Sequence, residues 1–368
     1  SLAGAVGFKR YLEEQEREGT ILYFGCPAEE GGSGKSFMAR EGCFDGLDCA
    51  LCWHPGDFNK VMNASCLANY QIYYHFKGIS AHAASAPHMG RSALDAVELM
   101  NTGVQYLREH IIPEARVHYA VTNTGGFSPN VVQAEAEVLY LIRAPRNEQV
   151  EEIYRRVNKI AQGAALMTET ELEIDFVKGC SNLVPNDTLC EVMYQNLSNI
   201  PLPEYTEEEM EYIRKLSITM PPYAAGMKAK IQAVPKERIA VETRKELLAQ
   251  SGDPVYRFVL PLGPSNTVVP ASTDVGDVSW NTPTVQCQTV TWPAGTPGHS
   301  WQAVTVGKSS IAHKGMLLAG KVLAATAIDL AEHPEIIEKA KEELCTRLAG
   351  APYQCPIPPE IRPRSISK

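Results

Sequence analysis

The sequence predicts an α/β protein, with a mainly parallel sheet covered by helices on both faces and a small α+β domain inserted into it. Three observations predict this. Helical and strand-like patterns alternate near the N-terminus, the mark of a parallel sheet covered by helices. Between about residues 65 and 180 the order becomes strand, helix, strand, strand, helix, strand, which describes one open four-stranded sheet with two helices. Sheet-like segments then return near 257–292 and helices close the chain.

The chain opens inside a helical pattern over 1–18, which leads into the apolar strand 20–26, a helical stretch near 33–42 and a strand near 47–53. A helix that feeds a strand with no strand before it looks like a domain entered partway, so residues upstream of Ser1 are expected. The inserted domain begins with the alternating strand "NYQIYYHFKG". The segment "SALDAVELMNTGVQYLREHI" then has apolar residues at helical spacing, giving a helix over 91–109. "VHYAVTNTGG" and "EAEVLYLIRAP" read as strands, followed by a helix near 147–166 and the strand "ELEIDFVKG".

After "NLVPND" an acidic helical segment runs to about 250. The last two helices fall near 308–331 and 334–348, and the first is apolar all round, which predicts burial. The tail "CPIPPEIRPRSISK" is Pro-rich and is expected to add nothing to the core. The division that follows is a main domain over 1–66 and 181–368, interrupted by a second domain over 67–180.

Composition narrows the function. A chain of 368 residues suits about two domains, and 44% hydrophobic with 21% charged residues is a soluble, globular balance. No apolar run is read as reaching the ~18 residues of a membrane span. A net charge of −9 without Lys/Arg clusters argues against nucleic acid or an anionic membrane as partner. The ten cysteines are scattered, mostly in apolar runs, which predicts free thiols and a cytoplasmic setting. Cys49 and Cys52 have CxxC spacing but lie on a strand pattern that turns them to opposite faces, so no zinc or redox site is assigned.

Ligands of open α/β sheets gather at the carboxyl ends of strands, and three polar clusters fall there. They are Glu29–Glu30 after "ILYFGCPA", His54 after "LDCALCW", and His299 in "PAGTPGHSW". Adjacent residues on an extended chain point opposite ways, so Glu29 and Glu30 are not expected to share a task. One Glu and two His with an open position form a ligand set used by hydrolytic zinc. The residues alone equally allow a surface acidic pair and hydrogen-bonded histidines.

Five motifs add to this. "YFGCPAEEGGSGK", "CWHPGDFN", "GISAHAASAPHMGRSALDAVELMN", "TNTGGFSPNVVQAEAEVLYLIRAP" and "STDVGDVSWNTPT" followed by "GTPGHSWQ" resemble the zinc aminoacylase/carboxypeptidase superfamily. Within it they are most similar to the aminobenzoyl-glutamate-utilizing amidohydrolase branch, in the same order and over nearly the whole chain. The resemblance implies a zinc-peptidase-like catalytic domain over 1–66 and 181–368 with two divalent ions, Zn or Mn, and a lid and dimerisation domain over 67–180. It implies Glu29 as general base and Glu30, His54 and His299 as metal ligands. His82 would steady the oxyanion in the partner subunit's site, and Asn130 and Arg143 would hold the substrate. Asp274 and Asp277 are expected to orient ligands or cap a segment, and His88 to position a helix start.

The implied reaction is hydrolysis of an amide to an amino acid, with p-aminobenzoyl-glutamate, a folate breakdown product, as leading substrate. Another N-acyl amino acid, a dipeptide, or a non-catalytic place in a paired complex are the alternatives. A homodimer through the lid, or a heterodimer with a homologous subunit, is expected. One departure stands out: the branch's Cys-Gly-His motif, which supplies further metal ligands, occurs nowhere in the sequence. An incomplete site with weak or absent metal binding, and an inactive chain, are expected from that departure.

Overall fold

The computed structural model describes residues 1–364. The chain begins with helix α1 (Leu2–Glu14), then α2 (Gly34–Arg40), β1 (Ala50–Gly56), β2 (Lys60–Met62), β3 (Ser65–Cys66) and β4 (Ala68–Lys77). Next come α3 (Ala93–Leu107), β5 (Arg116–Asn123), β6 (Glu135–Ala144), α4 (Asn147–Thr168) and β7 (Glu171–Cys180). Helices α5 (Asp187–Asn199), α6 (Glu207–Ser217), α7 (Ala224–Ala233) and α8 (Val241–Ala249) follow. The remainder holds β8 (Val268–Val269), α9 (Val275–Ser279), β9 (Thr284–Val290), α10 (Trp301–Val306), α11 (Ser310–Glu332) and α12 (Pro334–Leu348).

Residues 68–180 build one antiparallel sheet in the order β5-β6-β4-β7, with α3 and α4 on one face. Periodicity explains it. On β4 every second residue from Tyr70 to Phe76 is buried, and on β6 every second residue from Ala136 to Ala144. The opposing stripes are Ala93, Ala96, Val97, Met100 and Val104 on α3, and Val150, Ile153, Val157, Ala161 and Ala164 on α4, both at helical spacing. Full burial of Ile72, Phe76 or Ile142 contributes on the order of 2 kcal/mol each. The two buried tyrosines keep their hydroxyls paired, Tyr74 to Asn158 and Tyr140 to Asn101, each at 2.6 Å. Helix α3 starts where Ser92 accepts from the Asp95 amide.

The rest of the chain has less sheet than the sequence suggests. A three-stranded sheet has the order β1-β9-β2, with β9 parallel to β1 and antiparallel to β2, and β3 pairs β8 in a short parallel ladder. The two larger sheets are therefore mixed and antiparallel, and the mainly parallel sheet expected from the sequence is not observed among the described residues. The apolar segment 20–26 forms no strand. Phe24 is half-buried edge-on to Phe44, while Leu22 and Tyr23 are exposed. Apolar composition favours a strand but does not supply the neighbouring ladder, and β1 pairs with β9 alone. Of the sheet-like region near 257–292, only β8 and β9 are strands.

Helix α11 is long and apolar enough to cross a membrane, contrary to the expectation that no segment reaches that length, and half of its most apolar stretch is buried inside the protein. It packs on α1, α5, β1 and β9. Against α1 the approach is close because Gly4 and Gly320 face each other: a Cβ on Gly320 would lie 2.9 Å from the Ala3 Cβ. Helix α6 opens with a capping box, in which Thr206 and Glu209 exchange side-chain and backbone hydrogen bonds.

The tail also departs from expectation. Ile357 is buried in the core of the 68–180 unit, with Cys355 and Ile361 packed against it. Arg364 makes a bidentate pair with Asp175 on β7, and Arg40 on α2 donates to the carbonyls of Pro358 and Ile361. Proline removes ladder donors but not apolar side chains, so a Pro-rich strap still fills a groove. The last four residues of the tail, 365–368, lie outside the described residues.

Candidate active site

The acidic pair sits on strained backbone. Ala28 and Ser33 flank Glu29 and Glu30 with φ of 58° and 51°, and His299 has φ of 57°. Side-chain-bearing L-residues seldom adopt this left-handed region. The other non-glycine cases, Glu16, Glu169 and Ala349, lie just past the ends of α1, α4 and α12, where such a residue commonly ends a helix. Strain away from helix C-termini thus collects at the acidic loop and at His299. The Gly32 amide closes the loop on the Ala28 carbonyl at 2.8 Å. At Gly34 a Cβ would lie 2.0 Å from the Pro27 carbonyl oxygen, so that glycine serves the loop's own closure.

Glu29 and Glu30 engage different partners. The Thr273 hydroxyl donates to Glu29 Oε1 at 2.8 Å. Glu30 is exposed, with its Oε2 3.7 Å from His299 Nε2, and its carbonyl accepts from Lys178 Nζ at 3.4 Å.

Consecutive residues Ser272, Thr273 and Asp274 tie three parts of the chain together. Ser272 Oγ accepts from Arg143 Nη1 at 3.3 Å, and Thr273 holds Glu29. Asp274 accepts from both the amide and the ammonium of Lys35, at 2.9 and 2.8 Å. Burial opposes the charge on Lys35, but Asp274 outweighs it and holds the ammonium above the ordinary lysine range.

One turn further, the fully buried Asp277 accepts four hydrogen bonds: Ser36 Oγ at 2.6 Å, Ser181 N at 3.1 Å, and Ser181 Oγ and the Tyr353 hydroxyl at 2.8 Å each. Burial pushes its carboxyl up and the donors only partly reverse this. Asp274 and Asp277 therefore fix α2 and the loop before it onto α9, which packs against α2. Gly276 permits the close approach of Ser181 to α9, since a Cβ there would lie 2.0 Å from the Ser181 carbonyl oxygen.

The three residues expected to bind metal are not gathered. His54 is exposed at the end of β1, and its Nδ1 lies 2.6 Å from the carbonyl of Pro55. Among the described residues no group of three or more His, Cys, Asp or Glu side chains is placed to hold an ion. Glu30 and His299 alone give two donors, short of the three or four protein ligands of a zinc site. As arranged, these residues do not fit the metal centre the resemblance implies. The physical reason lies in segment 20–26, which is not a strand and so does not carry the acidic loop to a sheet edge beside His54.

On the 68–180 unit, His82 is exposed and pairs through its backbone with Val131, beside Asn130. Its Nδ1 faces the amides of Ala84 and Ser85 at 3.2 Å. With Nδ1 placed to accept from these two amides, Nε2–H is the ring donor left for another partner. The side chain of Asn130 is exposed, and its carbonyl accepts from Ala83. Arg143 lies on β6, and its Nε is buried without a hydrogen-bond partner among the described residues. Burial, then the charges of Arg143, Arg108 and Arg116, hold His118 below the ordinary histidine range, which marks an electropositive region there. His88 sits on the short turn Pro87–Met89, where its carbonyl accepts from Arg91.

The chain is 49% identical over 370 aligned positions to a p-aminobenzoyl-glutamate hydrolase subunit of Escherichia coli, covering all of this chain and 76% of that protein. It belongs to the p-aminobenzoyl-glutamate hydrolase family. Residues 67–168 of this family member match a peptidase dimerisation domain. Mouse Xaa-Arg dipeptidase is 31% identical over 198 residues, covering 53% of this chain and 46% of the dipeptidase. In fold, the family member is similar to the crystal structure of an aminobenzoyl-glutamate utilization protein from Klebsiella pneumoniae, with a TM-score of 0.52 and 18% identity, covering 88% of this chain and 66% of that one.

Sequence reasoning missed Thr273, Ser272, Lys35 and Lys178. Thr273 stands 244 positions from Glu29, and no spacing rule links residues that far apart. The one available signal was three consecutive polar side chains, "STD", entering a buried helix. Cys49 and Cys52 make no site: burial pushes their thiols to about 11 and about 12, leaving them protonated and inert.

Proposed function

We propose that this family member hydrolyses the amide between an acyl or aromatic amine group and an amino acid, with p-aminobenzoyl-glutamate as the leading substrate. The observation that carries this reading is the division of labour on one strained loop. Glu29 is held by Thr273, Glu30 faces His299, and Arg143 reaches the residue beside Thr273. Family membership supports the reaction class.

In this reading, one Glu29 oxygen is held by Thr273 and the other removes a proton from the attacking water, then passes it to the leaving amine. Arg143 binds the carboxylate of the amino-acid part, because its planar fork gives two parallel hydrogen bonds and its buried Nε has no other partner among the described residues. Asn130 contacts the substrate carbonyl. His82 offers Nε2–H to the developing oxyanion, in the site of a partner subunit.

The same reading keeps the division into 1–66 with 181–368 and 67–180, and a dimer formed through the second unit. Strand β5 lies at the edge of the four-stranded sheet, with Tyr119 and Val121 exposed, and an unpaired edge can be extended by another chain. The E. coli relative is named a subunit, which supports a homologous partner chain as well as a second copy. Zinc or manganese dependence and a place in folate catabolism belong to this proposal through the family alone. No step is assigned to an ion here, because only Glu30 and His299 come together. A cytoplasmic setting is supported by ten free cysteines.

The test is amide cleavage by the protein expressed from its complete gene, offered p-aminobenzoyl-glutamate, N-acetyl amino acids and Xaa-Arg dipeptides, with and without chelator. Release of p-aminobenzoate that stops with chelator and returns with zinc or manganese is expected. Preferential cleavage of the dipeptides would overturn the substrate assignment, and cleavage of none would overturn the reaction class.

A further inference from the structure

We infer that Thr273 is a positioning residue for the reaction: its hydroxyl fixes Glu29 so that one carboxylate oxygen is occupied and the other is aimed at the attacking water. The inference rests on the reading of Glu29 as the base.

Four observations carry it. The Oγ1–Oε1 distance of 2.8 Å is that of a well-formed O–H···O hydrogen bond. The same hydroxyl faces the Val275 amide at 3.4 Å, so its lone pair is turned to the helix and its proton to Glu29. As a β-branched residue, threonine has few rotamers, which keeps the hydroxyl in place. Its neighbours are anchored on both sides, Ser272 by Arg143 and Asp274 by Lys35, and Asp277 fixes the helix that follows.

Glu29 needs such a partner. It is only half-buried, on a turn whose preceding residue, Ala28, is in the left-handed region. A glutamate side chain left free there samples several rotamers, most of which point its carboxylate away from the substrate. Thr273 approaches from a distant part of the chain and is tied through Ser272 to the arginine that holds the substrate. The pair therefore sets the base relative to the bound amino acid. Misplacement of a reacting group by about 1 Å can cost on the order of 100-fold in rate.

The test compares Thr273→Val, Thr273→Ser, Glu29→Gln and the double variant Thr273→Val/Glu29→Gln in the protein expressed from its complete gene. Thr273→Val is expected to lower kcat by about 10- to 100-fold with KM within about twofold, because the hydroxyl acts on the base and not on substrate binding. Thr273→Ser restores most of the rate by restoring the donor. In the Glu29→Gln background, Thr273→Val is expected to add less than about threefold, which a general structural role would not produce. Unchanged kcat in Thr273→Val, beside a large loss in Glu29→Gln, overturns this inference and leaves the base assignment standing. Unchanged turnover in Glu29→Gln overturns the base assignment and this inference with it. Amide hydrogen exchange supplies an arm that needs no turnover: Thr273→Val is expected to speed exchange at 29–32 but not at residues 276–279 of α9, beyond the Val275 amide that faces the same hydroxyl. No acceleration at the loop overturns the inference.

Discussion

Replacing Asp277 with alanine and with asparagine separates what its carboxylate does from what its volume does. The carboxylate is fully buried and accepts from Ser36 Oγ, Ser181 N, Ser181 Oγ and the Tyr353 hydroxyl. Alanine leaves a buried amide and two buried serine hydroxyls without their acceptor, at about 1–3 kcal/mol for each unsatisfied group. Removing the buried charge returns part of that, because burial already pushes the Asp277 carboxyl up. The net expected loss for Asp277→Ala is roughly 3–5 kcal/mol.

Asparagine behaves differently. Its Oδ1 can take the place of the oxygen that accepts from the Ser181 amide and Ser36. Its Nδ2 then faces Ser181 Oγ and the Tyr353 hydroxyl, which can rotate to accept. Asp277→Asn should therefore cost no more than about 1–2 kcal/mol near neutral pH. The raised pKa also has a sign. An acid whose folded pKa is raised contributes stability below the ordinary aspartate value and loses it as pH rises through the folded value, so the asparagine variant should gain on wild type above that pH. Urea titration read at constant m is the assay. A loss below about 1 kcal/mol for Asp277→Ala, or equal losses for both variants, would refute the reasoning that these four hydrogen bonds hold α2, Ser181 and Tyr353 to α9.

Two further predictions follow from other sites. Arg143→Lys should raise KM by about 10- to 100-fold for substrates with a free amino-acid carboxylate and change kcat less, since a lysine cannot reproduce the planar fork; an unchanged KM removes Arg143 from substrate binding. Burial alone would push Glu209 up, but Lys314, Ser310 and the Thr206 amide outweigh it and hold its carboxyl at about 2. Stability from this group is present above the ordinary glutamate value of 4.5 and is lost as pH falls from there through about 2, by at most roughly 3 kcal/mol. Glu209→Gln should flatten that part of the acid unfolding curve, and an unaltered curve would contradict the assignment.

The unit around α3 and α4 was legible because its sheet has one face on helices and one outward, so burial alternates residue by residue. Tyr70, Ile72, Tyr74 and Phe76 show the strand period, and Ala93, Val97, Met100 and Val104 show the helix period, without any partner being known. Segment 20–26 was not legible, because a strand exists only with a neighbour and apolar composition does not reveal one. Ile357 was hidden by the prolines around it, which signal irregular backbone but say nothing of where a side chain lands. At the candidate site the sequence exposed Glu29, Glu30 and His299 as residue types suited to hydrolysis. It could not show that Glu30 meets His299 while His54 turns to the Pro55 carbonyl, nor that Thr273 reaches Glu29 across the fold.

The most direct test of the account is turnover of p-aminobenzoyl-glutamate by wild type and Glu29→Gln, each expressed from the complete gene and matched for metal content and thermal stability. The account predicts p-aminobenzoate release by the wild type and a loss of at least about 100-fold in the variant, the scale set by removing a general base. Release by Glu29→Gln at the wild-type rate would contradict it.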